Sequence, residues 1–324
     1  MKVISGVQPS GVLHLGNYFG AIRDHIAWQD RAESYFLIAD LHALTTQRDA
    51  AELRENTRNA AMVYLACGLD PKKAALFRQS DVPEVCELSW MLGAVTPLGL
   101  LERAVAFKEA RQNNQNCDAG LFNYPLLMAA DILMIGADAV PVGRDQLQHV
   151  EIAREIAKKF NSVYSPDAPI FCLPEAKLSE VPFVPGISGE KMSKRYNNTI
   201  GILDEGEELA RKVNAIVTDS KGRNEPKNPD RCTVFALLSL FLTQDETGSL
   251  AQRYRSGSID YTEAKQTLIQ RLDTYFQQIR TKYEKLQKSP EFVEQTLADG
   301  ADRARQRAHV VLAAVRRVAG LRIQ

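Results

Sequence analysis

The stretch "SYFLIAD", Ser34 to Asp40, is a short apolar run that ends in an acidic residue. A run of this length bounded by polar residues is typical of a buried strand. Three more stretches have this character: "KVIS" (2–5), "AALFRQSD" (74–81) and "DAVPVG" (138–143). The second favours a strand over a helix because Asp70-Pro71 breaks the chain just before it. Helical patterns alternate with these strands over 17–31, 49–68, 82–94 and 145–160. Such alternation predicts an α/β fold with a parallel sheet and helices on both faces.

The second half of the chain has a different pattern. Residues 161–200 are rich in Pro, Gly and Ser, which is typical of irregular structure. Beyond them, helical patterns cover 204–217, 232–243, 261–286 and 290–318, with a polar loop over 218–231. We therefore place a boundary near residue 200, between an α/β domain (1–200) and an α-helical domain (201–324).

Composition sets limits on the class of protein. The 324 residues are 45% hydrophobic and 25% charged, which indicates a packed globular protein. Lys plus Arg equals Asp plus Glu at 40 each, so nucleic-acid contacts must come from local basic patches. The five cysteines form no CxxC pair, so neither a zinc site nor a disulfide framework is indicated. We expect no metal site, no membrane span, no signal peptide and a cytoplasmic location.

The first candidate motif is "PSGVLHLGN", Pro9 to Asn17. Gly16 allows the backbone to approach a ligand closely. A helix that begins near Asn17 offers unpaired N–H groups, which favour a phosphate. His14 either donates to a phosphate oxygen or is a buried histidine satisfied by the backbone. For an isolated motif, the second interpretation is the more frequent one.

The second candidate motif is "GEKMSKR", Gly189 to Arg195. Lys191 and Lys194 lie in a Gly-containing loop and could neutralise charge that develops on a polyphosphate. Met192 could anchor the loop to apolar surface. Taken alone, the motif is equally well described as a solvated basic turn.

Together, "HLGN" and "KMSKR", in this order, resemble the paired signatures of class I aminoacyl-tRNA synthetases. The wider resemblance is to the tryptophanyl-tRNA synthetase family and spans nearly the whole chain. It is carried by "SGVQPSGVLHLGNYFGAI" (5–22), "YPLLMAADIL" (124–133), "VPVGRDQLQHVE" (140–151), "KMSKR" (191–195) and "AIVTDS" (215–220). Tyrosyl-tRNA synthetases are similar in layout but lack "PSGVLHLGN" and "MAADIL". The resemblance implies a Rossmann-like catalytic domain that carries the KMSKR loop.

Asp131 is the sequence's main clue to the amino acid. The only polar group of the tryptophan side chain is the indole N–H, a pure donor, so a selective pocket needs one buried acceptor. Asp131 is such an acceptor within the apolar "MAADIL", although an aspartate on a helix surface is the alternative. The resemblance implies that Asp131 accepts from the indole and that Tyr124 and Gln146 hold the α-ammonium group. It assigns Met128, Val140 and Val142 to the walls, and His42 and Gly6 to the same site.

The resemblance also implies an ATP site. The implied ATP-binding residues are Gln8, Pro9, Ser10, Gly16, Asn17, Gly143, Arg144, Asp145, Val184, Lys191, Met192, Ser193, Lys194 and Arg195. Of the motif residues, those with implied catalytic roles are His14, Asn17, Lys191, Ser193 and Lys194. Arg144 stands where the family often has an acidic residue, and Arg195 where it often has a serine. No side-chain nucleophile is required, because the carboxylate of the substrate attacks ATP.

The implied reaction is attachment of L-tryptophan to tRNA(Trp) through tryptophanyl-adenylate. Mg²⁺ should accompany ATP through phosphate oxygens, and the α-helical domain should read the anticodon. Basic residues there are Arg303, Arg305, Arg307, Arg316, Arg317 and Arg322, and a solvated Arg-rich helix is an equally good interpretation of each one. The resemblance also implies a homodimer, and the last helix could pack back on the catalytic domain. The basic segment 106–114 suits either the phosphates or a dimer interface. The alternatives are a tyrosyl-tRNA synthetase, a non-charging paralogue that acts as a binding module, and a small nucleotidyltransferase.

Overall fold

The computed structural model describes residues 1–11, 13–113, 117–178 and 183–322. The chain forms two compact units. The first comprises Met1–Gly11, Asp24–Ser179 and Leu286–Gln324, and the second comprises Val12–Arg23 and Glu180–Lys285. This division differs from a single boundary near residue 200, because the chain leaves the first unit at residue 12, returns at residue 24 and ends in the first unit.

The first unit contains a five-stranded parallel sheet, which confirms the predicted fold class. Its strands are β1 (Lys2–Val7), β2 (Glu33–Ile38), β3 (Ala74–Arg78), β4 (Ala139–Val142) and β5 (Glu175–Leu178), in the order β3-β2-β1-β4-β5. The order reverses between β1 and β4, and ligands of such sheets bind where the strand order reverses, beyond the carboxyl ends. The sheet topology therefore predicts that the residues after Val7 of β1 and after Val142 of β4 lie near a ligand site.

The fifth strand lies in the region that the sequence predicts to be irregular. β5 is an edge strand with the sequence "EAKL", and its side chains are exposed or half-buried. Charged residues are common on edge strands because they oppose pairing with other chains. The missing apolar run explains why the pattern did not predict this strand.

The α-helices of the described residues follow in chain order. They are α1 (Leu15–Asn17), α2 (Arg23–Trp28), α3 (Asp40–Ala43), α4 (Ala50–Ala66), α5 (Glu84–Gly93), α6 (Leu98–Glu102), α7 (Val105–Gln112), α8 (Ala119–Ile135), α9 (Leu147–Tyr164), α10 (Gly206–Asn214), α11 (Thr233–Ser239), α12 (Gln244–Ser256), α13 (Tyr261–Gln287) and α14 (Pro290–Val318). Among the helices of the described residues, none is both long and apolar enough to cross a membrane.

Helix α8 positions the candidate amino-acid site in the first unit. Asp118 caps its N-terminus by accepting from the Leu121 N–H at 2.8 Å, and Gly136, in the left-handed region, ends it. Its apolar side chains join a core that includes Ile4 of β1 and Phe77 of β3. Packing within this core fixes the direction in which the polar residues of α8 point.

The last helix, α14, belongs to the first unit and contacts β3 there. Its buried face contains Ala301, Ala304 and Ala308, small residues that let a helix approach a sheet closely. Burial of this face against the core explains why the chain returns to the first unit.

Several arginines of α14 have protein partners. Arg305 Nε donates to Glu84 at 2.9 Å, and both Arg316 Nε and Nη2 donate to the Glu87 carboxylate. Arg303 donates to the Pro71 carbonyl at 3.0 Å. The sequence left tRNA contacts and a solvated helix face equally open for these three residues, whereas their described bonds attach α14 to its own unit.

The second unit is mostly helical and contains the "HLGN" segment. The chain continues from α1 into a π-helical turn, Tyr18–Ile22. Tyr18 packs edge-to-face against Tyr275 and Phe276, and Phe19 against Phe241, with ring centroids 5.1 to 5.9 Å apart. Such aromatic pairs contribute beyond their buried area, so this cluster holds the segment in the second unit.

Candidate active site

Asp131 lies at the centre of a buried hydrogen-bonded group in the first unit. Its side chain on α8 is 3% exposed. The Gln79 Nε2 group donates to both carboxylate oxygens at 3.0 and 2.8 Å, and His42 Nε2 lies 3.1 Å from Oδ2. The Gln79 amide oxygen accepts from the His42 backbone N–H at 3.3 Å. We call Asp131, Gln79 and His42 the acceptor cluster.

The electrostatics of the acceptor cluster suit a single buried anion. Burial raises the pKa of Asp131, while hydrogen bonds from His42 and Gln79 act in the opposite direction. A buried carboxylate is tolerated only when donors satisfy it. In the described bonds, Asp131 Oδ2 accepts from Gln79 and His42, and Asp131 Oδ1 accepts from Gln79. The carboxylate can therefore accept one further N–H donor.

Apolar and aromatic groups share the helix face of Asp131. Tyr124, Met128 and Asp131 are spaced i, i+4 and i+7 on α8, so they lie on one face. Tyr124 and Met128 are half-buried, and the Tyr124 and His42 rings meet edge-to-face at 6.4 Å. In β4, Val140 is buried and Val142 is half-buried. The structure thus brings Tyr124 and His42, two of the predicted tryptophan-site residues, into contact.

A second polar chain links α8 to the start of α9. The Tyr124 hydroxyl lies 2.5 Å from His149 Nε2, and His149 Nδ1 lies 2.7 Å from the Gln146 amide oxygen. We call Tyr124, His149 and Gln146 the relay. Burial, with a smaller effect from Glu109, raises the pKa of Tyr124 to about 12, so the phenol is protonated at neutral pH.

Gly6 is required by the sheet itself. It lies in β1 opposite Leu37 of β2, and a Cβ at this position would lie 2.5 Å from the Leu37 carbonyl oxygen. Close approach of the two strands therefore explains this glycine without any ligand.

The other predicted ligand-binding residues of the first unit follow β1 and β4. Gln8 and Ser10 are exposed, and Pro9 is buried. Gly143 precedes the 3-10 turn Arg144–Gln146, and the Arg144 side chain is exposed. The side chain of Asp145 lies outside the described part of the structure.

In the second unit, backbone pairing joins the "HLGN" segment to the chain that follows "KMSKR". His14 and Gly201 form an antiparallel bridge. The Leu15 N–H donates to the Ile200 carbonyl at 3.0 Å, and the Ile202 N–H donates to the Leu13 carbonyl at 3.2 Å. Asn17 and Lys191 are 174 residues apart in sequence (191 − 17), yet this short ladder joins the first motif to the chain just after the second.

The "KMSKR" loop folds around a buried asparagine. Asn198 is 1% exposed, and its amide oxygen accepts from the Ser193 N–H at 2.8 Å. Its amide nitrogen donates to the Lys191 carbonyl at 3.1 Å and to Ser188 Oγ at 2.9 Å. One side chain therefore fixes the backbone of the loop at both Lys191 and Ser193.

Met192 and Gly16 connect the two motifs directly. Met192 is 3% exposed, and its N–H donates to the carbonyl of the buried Val184 at 2.9 Å. A Cβ on Gly16 would lie 3.4 Å from Met192 Cβ and 2.9 Å from two atoms of the His14 ring. The close packing of His14 and Met192 therefore excludes a side chain at Gly16.

His14 and Lys194 influence each other electrostatically. Burial, together with the nearby Lys194 charge, lowers the pKa of His14 to about 4. Burial lowers the pKa of Lys194 to about 8. At neutral pH the imidazole is uncharged and the lysine is largely protonated. Asn17 Oδ1 accepts from the His14 N–H at 3.1 Å, while Lys191 and Arg195 have exposed side chains.

Within the described residues, no group of three or more His, Cys, Asp or Glu side chains is arranged to hold a metal ion. Mg²⁺ bound to ATP would belong to the substrate, since Mg²⁺ binds such sites largely through phosphates and water.

Comparison with known proteins assigns the family. The family model of "tRNA synthetases class I (W and Y)" matches residues 1–277. The chain belongs to this family. It is 47% identical over 323 residues to a tryptophan–tRNA ligase of Rhodopirellula baltica, covering 99% of this chain and 100% of the relative. It is 43% identical to the tryptophan–tRNA ligase of Campylobacter jejuni, covering 94% and 95% of the two chains.

The fold agrees with solved class I synthetases. The crystal structure of the Campylobacter jejuni tryptophanyl-tRNA synthetase with ADP and tryptophan matches with a TM-score of 0.90 and 42% identity. The match covers 99% of this chain and 100% of that chain. The tryptophanyl-tRNA synthetase of Mycoplasma pneumoniae matches with a TM-score of 0.84, at 30% identity, covering 99% and 98% of the chains.

Sequence reasoning missed three polar residues described above: Gln79 and His149 in the first unit, and Asn198 in the second. Gln79 bonds to Asp131, 52 residues away, and His149 bonds to Tyr124, 25 residues away, whereas Asn198 bonds to residues of its own loop, 5 to 10 residues away. Gln79 follows β3, so its position at the carboxyl end of a strand was an available signal. Neither of the other two carries a comparable local signal.

Proposed function

We propose that this chain attaches L-tryptophan to tRNA(Trp). In the first step the tryptophan carboxylate attacks the α-phosphate of ATP, forming tryptophanyl-adenylate and releasing pyrophosphate. In the second step the terminal adenosine of the tRNA accepts the tryptophanyl group and AMP leaves. The tryptophan–tRNA ligases that match nearly the full chain favour this reaction over tyrosine charging.

One observation carries the choice of amino acid: the buried acceptor cluster. A carboxylate held by Gln79 and His42 can accept from an indole N–H, and a tryptophan analogue without that donor leaves it unsatisfied. Sites built on such a buried polar group reject ligands that lack the matching donor by large factors. We assign Asp131 as the indole acceptor, with Met128, Val140, Val142 and His42 around the ring.

The relay supports a role for Tyr124 and Gln146 at the α-ammonium group. Both present oxygen atoms, which an ammonium group requires because it has only donors. The position of Gly6 at the end of β1 is consistent with the same site, although the sheet alone requires a glycine there.

The second unit supplies the proposed phosphate chemistry. We assign His14, Asn17, Lys191, Ser193 and Lys194 to the phosphates of ATP. A neutral His14 donates a hydrogen bond, and the protonated lysines neutralise charge that develops as pyrophosphate departs. Catalysis then consists of positioning and charge stabilisation, without a covalent enzyme intermediate.

Further nucleotide contacts are proposals that follow from the family. They comprise Gln8, Pro9, Ser10, Gly143, Arg144 and Asp145 in the first unit, and Gly16, Val184, Met192 and Arg195 in the second. Met192 and Val184 are buried, so they act through the shape of the loop. Mg²⁺ enters with ATP as part of the substrate.

We further propose that the chain acts as a cytoplasmic homodimer and that residues 201–324 read the anticodon. Arg303, Arg305 and Arg316 already bind protein groups, so tRNA contacts are better sought at Arg317, Arg322 and other exposed basic residues. Size measurement in solution tests the dimer.

Amino-acid-dependent exchange of pyrophosphate into ATP, measured with each of the twenty amino acids, tests the function. We expect exchange with tryptophan far above tyrosine, followed by charging of tRNA(Trp). Exchange with tyrosine alone would support a tyrosyl enzyme. If MgATP is present and none of the twenty amino acids supports exchange, the result would support a non-charging paralogue.

A further inference from the structure

His149 lies between two groups that the proposed function assigns to the substrate. Its Nε2 atom lies 2.5 Å from the Tyr124 hydroxyl, and its Nδ1 atom lies 2.7 Å from the Gln146 amide oxygen. The rings of Tyr124 and His149 meet edge-to-face with centroids 5.4 Å apart. These contacts join α8 to the first turn of α9, and both helices belong to the packed core.

Hydrogen-bond chemistry fixes where the protons of the relay lie. An amide oxygen only accepts, so His149 Nδ1 must carry the proton that faces Gln146. In the neutral imidazole, Nε2 then has a lone pair and accepts the proton of the Tyr124 hydroxyl. The phenol remains protonated because burial raises its pKa to about 12.

This direction of bonding determines what Tyr124 offers a ligand. Its proton points at His149, so its oxygen presents lone pairs to any other group. The amide oxygen of Gln146 is turned toward the His149 N–H, which fixes the orientation of the amide. An α-ammonium group, with three donors and no acceptor, binds oxygen lone pairs and is repelled by an O–H that points at it.

We propose that His149 is a positioning residue that sets the hydrogen-bond polarity of Tyr124 and Gln146 for the α-ammonium group of the substrate. The inference rests on the proposed binding of an amino acid at Tyr124 and Gln146. His149 itself acts through these two side chains.

Two substitutions separate the bond that His149 makes to Tyr124 from the bond that it makes to Gln146. His149→Gln places an amide oxygen near the position of Nε2, so it retains an acceptor for Tyr124. His149→Asn places a donor near the position of Nδ1, so it retains the bond to Gln146 and loses the acceptor. Charge-assisted hydrogen bonds are among the stronger ones, so we expect His149→Asn to weaken tryptophan binding about tenfold or more. We expect a smaller loss for His149→Gln.

The decisive measurement compares ligands with and without the ammonium group. Equilibrium binding of tryptophan, tryptamine and indole-3-propionate is measured for the wild type, both variants and the control Lys158→Gln, which alters an exposed residue of α9. We expect His149→Asn to weaken binding of tryptophan and tryptamine while indole-3-propionate binds as in the wild type. The Michaelis constant for ATP should remain unchanged.

Equal weakening for all three ligands would show a merely structural role and overturn the proposal. Tyr124→Phe, which removes the phenol oxygen that would accept from the ammonium group, should reproduce the ligand selectivity if both His149 variants fail to fold. In a Tyr124→Phe background, His149→Asn should cause little further loss, and independent losses would also overturn it. A wild type that binds no tryptophan would instead contradict the proposed function, so the two failures are distinguishable.

Discussion

The acceptor cluster of the first unit and the "KMSKR" loop of the second unit are built in different ways. Asp131 is held by side chains, with Gln79 and His42 donating to its carboxylate. Lys194 lies on a loop whose backbone is shaped by Asn198 and by a bridge between Pro185 and Lys191.

The difference corresponds to the two tasks. Recognition of an indole N–H needs one acceptor at a fixed point, and the buried Asp131 carboxylate, held by the buried Gln79 and the half-buried His42, provides it. Stabilisation of a polyphosphate needs positive charge on a loop, and a loop fixed through its backbone leaves its long cationic side chains adjustable. Substitutions in the two regions should therefore affect different substrates.

The largest effect is expected for Asp131→Ala. Loss of the acceptor leaves the donors of Gln79 and His42 without a partner and removes the indole contact. We expect kcat/KM for tryptophan in pyrophosphate exchange to fall about 1,000-fold, with little change in the Michaelis constant for ATP. Asp138→Asn, at an exposed carboxylate of the same unit, is the control. Equal losses in kcat/KM for tryptophan and for ATP would show that the acceptor cluster and the "KMSKR" loop do not act on separate substrates.

Lys194→Ala should show the opposite pattern. Removal of this charge should lower the rate of adenylate formation about 100-fold, while the dissociation constant for tryptophan stays near that of the wild type. Single-turnover formation of the adenylate and tryptophan titration provide the two values. Lys221→Ala, in the exposed loop of the same unit, is the control. An unchanged rate of exchange would remove Lys194 from the proposed chemistry.

The two regions also differ in how far sequence could predict them. Strands β1 to β4 were predicted because each is a short apolar run, whereas β5 is a charged edge strand without such a run. Asp131 was predicted to be a site residue because an acidic side chain is unusual within an apolar helix. Gln79, its principal partner, is set by packing between segments that are distant in sequence, which local patterns do not encode.

The packing of α14 against the catalytic domain was predicted as a possibility, whereas the place of the "HLGN" segment in the second unit was not predicted. Residues 13–15 join the second unit through backbone bonds to 200–202, and such long-range pairing has no local signature. The arginines of α14 illustrate the same problem, because a basic helix does not reveal which of its faces meets Glu84 and Glu87. Helix α12 was missed because it is largely polar, although the Thr243–Glu246 capping box marks its start.

Gln79→Leu tests whether the acceptor cluster depends on its side-chain partners. Loss of a donor should raise the pKa of Asp131 further, because the buried carboxylate keeps fewer hydrogen bonds. We expect tryptophan affinity to fall about 10- to 50-fold at pH 7 and to recover partly at pH 9. Isothermal titration at both pH values measures this, with the exposed neighbour substitution Ser80→Ala as control. A loss that is independent of pH would contradict the proposed support of the ionised carboxylate.

Asn198→Ala tests the backbone-shaped loop in the same way. The variant leaves the Ser193 N–H without its acceptor and the Lys191 carbonyl without its donor. We expect kcat for adenylate formation to fall about tenfold and tryptophan binding to remain unchanged. Asn197→Gly is the matched control, since Asn197 is exposed and has the positive φ of 47° that glycine adopts readily. Similar losses in both variants would mean that general loop stability, rather than the Asn198 bonds, is being measured.

The sharpest separation of the two regions concerns pH, with an effect about as large as that of Asn198→Ala. Lys194 is charged below its pKa of about 8 and loses its charge as pH rises through that value. Therefore kcat/KM for ATP should be flat from pH 6 to 7.5 and should fall about tenfold by pH 9. His14, with a pKa of about 4, stays neutral over the whole range and should add no decline on the acid side. Lys194→Arg keeps the charge to far higher pH, so its profile should lack the alkaline decline, whatever its absolute rate. An identical decline in that variant would assign the titration to another group. Tryptophan binding, which depends on the acceptor cluster, should not follow this profile.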